Sequence, residues 1–268
     1  MLAQKAEEAR RKEGESDFCY GFRPGLKLDL FPTPYMGDIK NAKLVICMLN
    51  PGFSFADLRD HRDPGLRSAL KKNLRQDFHH DKKDEFRFPF LDPQFCWTSG
   101  FNYWYRRFHP LIKELTTRKK ENGECWEKKE AMRCIANQTA VVELFPYNSK
   151  NFDTNNKSLG CPSVAKAKAW FRETRDNPNR NKLIVLCRGA KKWGLETDKQ
   201  DKPECVSSKK KPDYPNENNP MRRGYISCDK KLIVLGTDFA RNGSFLGSES
   251  DKSGFDQQRY KLIKNAIL

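Results

Sequence analysis

Four short runs of Val, Ile and Leu occur along the chain without the alternation of apolar and polar residues that marks a half-exposed strand. They read KLVICML at Lys43–Leu49, TAVVEL at Thr139–Leu144, KLIVLC at Lys182–Cys187 and KLIVL at Lys231–Leu235. Continuous apolar runs of this length are typical of strands buried on both faces of a parallel sheet. The pattern therefore predicts a central four-stranded parallel sheet.

Segments with helical patterning separate these strands. The predicted helices are Phe101–Leu115, Glu127–Gln138, Ser163–Arg175 with Ser163 as its N-cap, the short Ala190–Leu195, and Asp256–Leu268. Strands that alternate with helices indicate an α/β protein with helices on both faces of the sheet, a three-layer α/β/α sandwich. We expect residues 1–268 to form a single domain, with a charged N-terminal arm at 1–17 and a long basic loop at 197–223.

Charge and composition narrow the class of protein. The chain carries 51 Lys and Arg against 35 Asp and Glu, a net charge of +16, which favours a polyanionic partner but also fits a lysine-rich solvated surface. No apolar run approaches the roughly 20 residues of a membrane-spanning helix, and the N-terminus lacks the apolar core of a secretory signal. We expect a cytoplasmic, nucleoid-associated protein with no membrane contact.

The cysteines and histidines indicate neither a metal site nor a catalytic triad. The nine cysteines form an odd count without a C-x-x-C pair, so we expect neither disulfides nor a metal site. The histidines do not follow the predicted strands, which disfavours a histidine-based triad. Neither G-x-G-x-x-G nor G-x-x-x-x-G-K-[ST] follows a strand, so no nucleotide cofactor is expected.

In an open parallel sheet, ligands bind outside the carboxyl ends of the strands. That rule selects the four loops that follow the predicted strands, namely Asn50–Ser54, Phe145–Ser149, Arg188–Lys192 and Gly236–Gly243. All four carry polar groups, glycines or basic residues. We expect the functional site to be built from these loops.

Three motifs carry a resemblance to a known family. They are Leu49-Asn50-Pro51-Gly52 after the first strand, Phe88-Pro89-Phe90-Leu91-Asp92-Pro93, and Asn102-Tyr103-Trp104 at the start of a predicted helix. Their order resembles that in the mismatch-specific uracil/thymine-DNA glycosylases, a branch of the uracil-DNA glycosylase superfamily. The resemblance implies a uracil-DNA glycosylase-like sandwich and a monomeric, monofunctional glycosylase without cofactor or metal. Such an enzyme flips a base out of double-stranded DNA and leaves an abasic site.

The resemblance also implies roles for particular residues. Asn50 would orient the attacking water as a catalytic residue, while Phe90 and Phe53 would hold the flipped base. Further contacts to the base would come from Phe88, Tyr147 and Asn148. Contacts to phosphates, or filling of the gap left by the flipped nucleotide, would fall to basic and polar residues of the later loops: Arg188, Lys191, Lys192, Arg241 and Asn242.

Two departures from the family pattern bear on the substrate. The fourth loop, Asp238–Gly243, lacks the wedge motif usual in the family, and Glu143 stands where single-strand-selective members have a base-recognising Asn. Glu143 has three interpretations: a reader of the base, a general acid or base, or a buried carboxylate paired with Arg188. An ionised carboxylate only accepts hydrogen bonds, and the amino group of cytosine is a suitable donor.

We therefore expect a modified cytosine as the substrate, such as the hydroxymethylated or glucosylated cytosine of phage DNA. In this respect the chain resembles a bacterial phage-defence glycosylase of the same superfamily. Two alternatives stay open. One is a repair glycosylase for uracil or thymine in mismatches, and the other is a non-catalytic nucleic-acid-binding module.

Overall fold

The computed structural model describes residues 26–79, 82, 84–118, 123–149, 161–177, 179, 181–195, 224–227, 229–236, 245–247 and 254–268. The expectations for the arm at 1–17, for the loop at 197–223, and for Arg241 and Asn242 fall outside these residues.

Six of the strands in this part of the chain form one sheet. The strands are β1 (Leu26–Lys27), β2 (Tyr35–Met36), β3 (Leu44–Met48), β4 (Thr139–Glu143), β5 (Asn148–Ser149), β6 (Leu183–Leu186), β7 (Gly224–Ile226) and β8 (Leu232–Leu235). The sheet has the order β2-β4-β3-β6-β8-β7. Strands β3, β4, β6 and β8 are parallel, and β2 and β7 pair antiparallel at its two edges.

The α/β class is thus confirmed, and the four expected parallel strands form the centre of a described sheet that has six strands. The four parallel strands are those predicted from the apolar runs. The two edge strands span only two and three residues, too few to produce a pattern of their own in the sequence. Strands β1 and β5 form a separate antiparallel pair beside the sheet.

The helices within the described residues are α1 (Phe55–Asp60), α2 (Pro64–Arg75), α3 (Ser99–Thr117), α4 (Lys128–Gln138), α5 (Pro162–Asp176), α6 (Ala190–Trp193) and α7 (Gly254–Ile267). Sequence patterning missed α1 and α2. The expected cap Ser163 lies inside α5, because Pro162 already occupies a first-turn position and Cys161 is the N-cap. None of the described helices has the length and apolarity that crossing a bilayer requires.

Two hydrophobic clusters lie on opposite faces of the sheet. Alternate sheet residues such as Leu44 and Ile46 face a core shared with α2, α3, α4 and α7. Their neighbours Val45 and Cys47 face a second core shared with α5 and α6. Because residues of a strand point alternately to the two faces, this division creates three layers. Because β3 pairs in parallel with both β4 and β6, the carboxyl ends of these three strands lie together at one edge.

Candidate functional site

The turn after β3 is fastened to β5. The amide of Phe145 donates to the carbonyl of Leu49 at 2.9 Å, so the pairing of β3 with β4 continues to the residue before Asn50. Beyond it, the amide of Ser149 donates to the Pro51 carbonyl at 3.2 Å. The Asn148 side chain donates through Nδ2 to the Gly52 carbonyl at 2.8 Å. The Asn50-Pro51-Gly52 turn is therefore held in place by contacts from a segment almost one hundred residues later in the chain.

The orientation of the Asn50 side chain is fixed by its acceptors. Its Nδ2 donates to Ser149 Oγ at 2.8 Å and to the Pro51 carbonyl at 2.9 Å. Because a carbonyl can only accept, the nitrogen must face Pro51, and Oδ1 must point away from it. Asn50 as a whole is half-buried. The role of Asn50 in orienting water stays a prediction, and this geometry is compatible with it.

Glu143 ends β4 directly opposite Met48 of β3. The side chain is buried, and its Oε2 finds no hydrogen-bond partner among the described residues. Burial raises the pKa of Glu143 to about 8, although the neighbouring Arg188 acts to lower it. The carboxyl group is therefore mostly protonated at neutral pH, and it can donate as well as accept a hydrogen bond. The expectation of an ionised carboxylate is not supported.

Two residues of α3 that the sequence did not single out for this role act on this side of the site: Tyr103 interacts electrostatically with Glu143, and Arg107 with Cys187. Tyr103 and Arg107 lie one turn apart, and the Arg107 guanidinium carbon is 3.3 Å from the centre of the Tyr103 ring. Burial is the main cause of a raised pKa for Tyr103, and the charges of Glu143 and Arg188 also act on it. This places α3 next to the carboxyl ends of both β4 and β6.

Cys187 and Arg188 complete this side of the site from the end of β6. Burial and then the proximity of Glu143 raise the pKa of Cys187 to about 12. The thiol therefore stays protonated at physiological pH, which excludes a thiolate nucleophile there. Arg188 is exposed at the same edge.

The aromatic residues expected to bind a base separate into two groups. Phe88 is completely buried and packs edge-on against Trp104 at 5.3 Å between ring centres, so its placement does not suit contact with a base. Phe90 is half-buried beside the first turn of α3. A Cβ on Gly100 would come within 2.6 Å of the Phe90 ring, so only glycine permits this ring position.

Phe53 and the pair after β4 surround the turn itself. Phe53 is half-buried, with the Lys27 ammonium 4.9 Å from its ring centre. Tyr147 is half-buried, and its ring centre lies 5.4 Å from that of Phe145. Asn148 is buried, and its Oδ1 has no hydrogen-bond partner within the described part of the chain. Phe53 and Asn148 both lie at the Asn50 turn, and their role in binding a base stays a prediction.

The basic loop after β6 lies at the same edge. Lys191 is exposed on the short α6, and Lys192 is half-buried there, where burial lowers its pKa. Gly189 has a φ of +67°, and a Cβ on it would meet Leu49 Cδ2 at 2.8 Å. Glycine thus allows the β6 loop to approach the end of β3 closely. Arg188 and Lys191 consequently present positive charge next to the Asn50 turn.

No family model, curated protein or solved structure matches the chain.

A cavity of about 540 Å³ lies away from these residues, between α2 and the segment that contains Phe86 and Pro89. None of the expected site residues lines it. The described residues contain no cluster of His, Cys, Asp and Glu that could hold a metal ion. What the carboxyl edge offers is an amide acceptor on a fixed turn, a neutral carboxyl, half-buried aromatic rings and exposed cations. Such a set can hydrogen-bond a heterocycle, position a water and attract phosphate.

Proposed function

We propose that this protein is a DNA glycosylase that hydrolyses the N-glycosidic bond of a flipped-out pyrimidine, with a modified cytosine as the first candidate. The observation that carries the proposal is the fixed amide of Asn50, held by Ser149 and Pro51 at the end of β3. Glu143 ends the adjacent strand with a buried carboxyl whose Oε2 lacks a protein partner among the described residues.

The chemistry of Asn50 follows from its orientation. Oδ1 accepts a hydrogen bond from a water molecule and directs its oxygen toward C1′ of the sugar. As the bond from C1′ to N1 breaks, its electron pair leaves with the base, and the water oxygen bonds to C1′. The water proton is lost to solvent, because an amide does not take up a proton at neutral pH. Asn50 is thus an orienting group, and departure of the base controls the rate.

The protonated Glu143 assists that departure. Its hydroxyl donates a hydrogen bond to N3 of cytosine, and its carbonyl oxygen accepts one from the N4 amino group. A donor at N3 stabilises the negative charge that develops on the departing base. Cytosine needs this help, because its anion has one carbonyl group to carry charge whereas the uracil anion has two.

A second candidate substrate follows from the same ionisation state. A neutral carboxyl also complements uracil, accepting from N3–H and donating to O4, so excision of uracil or thymine from mismatches is the alternative. Ordinary cytosine is excluded in either case, because its removal would destroy the genome of the host. A modified cytosine of phage DNA satisfies this restriction and gives the protein a role in defence.

The test is a base-release assay on duplexes that contain glucosylated or unglucosylated hydroxymethylcytosine, uracil opposite guanine, or ordinary cytosine. Alkali then cleaves the abasic sites. We expect product from a modified-cytosine duplex and none from ordinary cytosine. Cleavage of the uracil duplex alone would favour mismatch repair. Salt-dependent DNA binding with no product from any duplex would favour a non-catalytic binding module.

Three variants test the machinery. Asn50→Ala should lose about 100-fold or more of the turnover and keep its affinity for DNA, because orientation of the nucleophile is lost. Ser149→Ala should lose about tenfold, as expected for one hydrogen bond that holds Asn50. Ser68→Ala, at an exposed position of α2, is the matched control. Full activity of Asn50→Ala would remove Asn50 from the mechanism.

A further inference from the structure

Phe55 is an apolar side chain held in solvent beside the candidate site. It is 82% exposed, whereas the next most exposed large hydrophobic residue in the described part of the chain, Leu268, is 47% exposed. Burying a phenylalanine side chain stabilises a protein by about 1.5–3 kcal/mol, and the fold forgoes this gain at Phe55. Single exposed hydrophobic residues are common on protein surfaces, so the exposure of Phe55 indicates a function only if its position does so too.

The backbone that carries Phe55 is rigid. The carboxylate of Asp57 accepts a hydrogen bond from the Ser54 amide at 2.6 Å and another from the Ser99 hydroxyl. Asp60 at the other end of α1 is buried, and it accepts from the Ser99 amide at 2.8 Å. Both contacts fasten α1 to the start of α3. Phe55 therefore projects from a short helix that is fixed at both ends.

Phe55 also stands next to the residues assigned to the flipped nucleotide. It follows Asn50 by five residues, and its ring lies edge-on to Phe53 at 5.6 Å between centres. The Lys27 ammonium lies 4.9 Å from the centre of the Phe53 ring, and Arg59 follows Phe55 by about one turn of α1. Lys27 and Arg59 thus carry positive charge in the same region, where Arg59 also pairs with Asp60 at 2.8 Å, and such charge suits the phosphates of a nucleic acid.

We infer that Phe55 is the wedge that enters the base stack of duplex DNA and fills the gap left by the flipped nucleotide, an inference that rests on the proposed glycosylase function. Proteins that distort DNA insert apolar side chains of this kind between base steps. A wedge must be exposed in the free protein, rigidly mounted and adjacent to the group that acts on the sugar, and Phe55 meets all three conditions. Trp97 and Tyr103 are less exposed, and each has an arginine against its ring.

The test compares base release from duplex and single-stranded forms of one substrate. A single strand has no stack to refill, so Phe55→Ala should lose about tenfold of its activity on the duplex and less than twofold on the single strand. Phe55→Leu should restore most of the duplex activity. Leu268→Ala is the control for removal of an exposed apolar side chain. Equal loss on both forms, or no loss on either, would overturn the wedge and would favour protein contact as the role of Phe55.

A second measurement covers the case in which the parent protein acts on duplexes alone. With 2-aminopurine placed beside the target nucleotide, the parent should raise the fluorescence on binding, because flipping unstacks the probe. Phe55→Ala should abolish most of that rise at saturating protein, and an unchanged rise would overturn the wedge. If the parent released no base from any substrate, the proposed function would fail, a result distinguishable from failure of the wedge alone.

Discussion

Glu143 illustrates how one side chain changes the chemistry of the site. The residue type alone suggests an anion that accepts hydrogen bonds. Its place at the end of β4, buried beside Cys187 and Tyr103, raises its pKa to about 8. A protonated carboxyl has a donor and an acceptor side by side, as an amide has. Glu143 therefore keeps the bidentate pattern that an Asn would offer and adds a proton that ionises in alkali.

The stability of the folded protein should depend on pH through Glu143. With the pKa of Glu143 near 8 in the folded protein and near 4.5 in the unfolded chain, the folded state binds more protons between those values. Its contribution to stability is therefore present in full below pH 4.5 and is lost as the pH rises toward 8. Glu143→Gln should remove that loss, which amounts to at most about 1.4 kcal/mol per pH unit.

Urea denaturation at pH 5 and pH 8 measures this difference. Glu173→Gln, at an exposed position of α5, is the control and should follow the parent. If the parent and Glu143→Gln lost equal stability over this interval, Glu143 would be ionised in the folded state. In the base-release assay, Glu143→Gln should keep most activity at pH 7 and should lack the decline of the parent above pH 8. Loss of activity at pH 7 would instead make Glu143 a general acid.

At the scale of elements, long-range contacts define the site. The apolar runs predict the four parallel strands and therefore the edge at which their loops meet. They cannot reveal β5, which has two residues, or the bond from Asn50 to Ser149, which joins positions far apart in the chain. Tyr103 belongs to a predicted helix, but its approach to Glu143 depends on how that helix packs. The positions of the parallel strands can thus be predicted from the local pattern, whereas the contacts between side chains distant in sequence cannot.

The contact between Phe90 and α3 provides a prediction at this scale. Gly100→Ala places a methyl group within 2.6 Å of the Phe90 ring and should displace the ring, because carbon atoms cannot approach so closely. We expect a stability loss of about 1–3 kcal/mol by overpacking and a higher KM for base release. Ser68→Ala, at an exposed position of α2, is the control.

Thermal or urea denaturation gives the stability term, and steady-state kinetics gives the KM. A higher KM with an unchanged kcat is the result expected if Phe90 binds the base in the ground state. Reduced stability without any kinetic change would show that Phe90 acts in packing alone. No such test is needed for Phe88, because its complete burial places it in the core.

At the scale of the whole molecule, the chain has a net charge of +16, and part of its positive charge lies at the edge that carries the candidate site. Arg188 and Lys191 are exposed there, next to the ends of the parallel strands. Tyr103 of α3 lies at this edge, and a residue ten positions further along the helix lies about 15 Å from it. Lys113 occupies that position and is also exposed. The molecule thus offers cations near the site and a cation remote from it on the same helix.

This arrangement predicts where charge contributes to DNA affinity. The logarithm of the DNA-binding constant should fall linearly with the logarithm of the salt concentration, because each phosphate contact releases condensed counterions. Arg188→Ala and Lys191→Ala should each reduce the magnitude of that slope by about one, whereas Lys113→Ala should leave it unchanged. Fluorescence anisotropy with a labelled duplex at several salt concentrations measures the slopes. Equal reductions in all three variants would mean that the whole surface attracts DNA, and the carboxyl edge would then lose its claim to be the DNA interface.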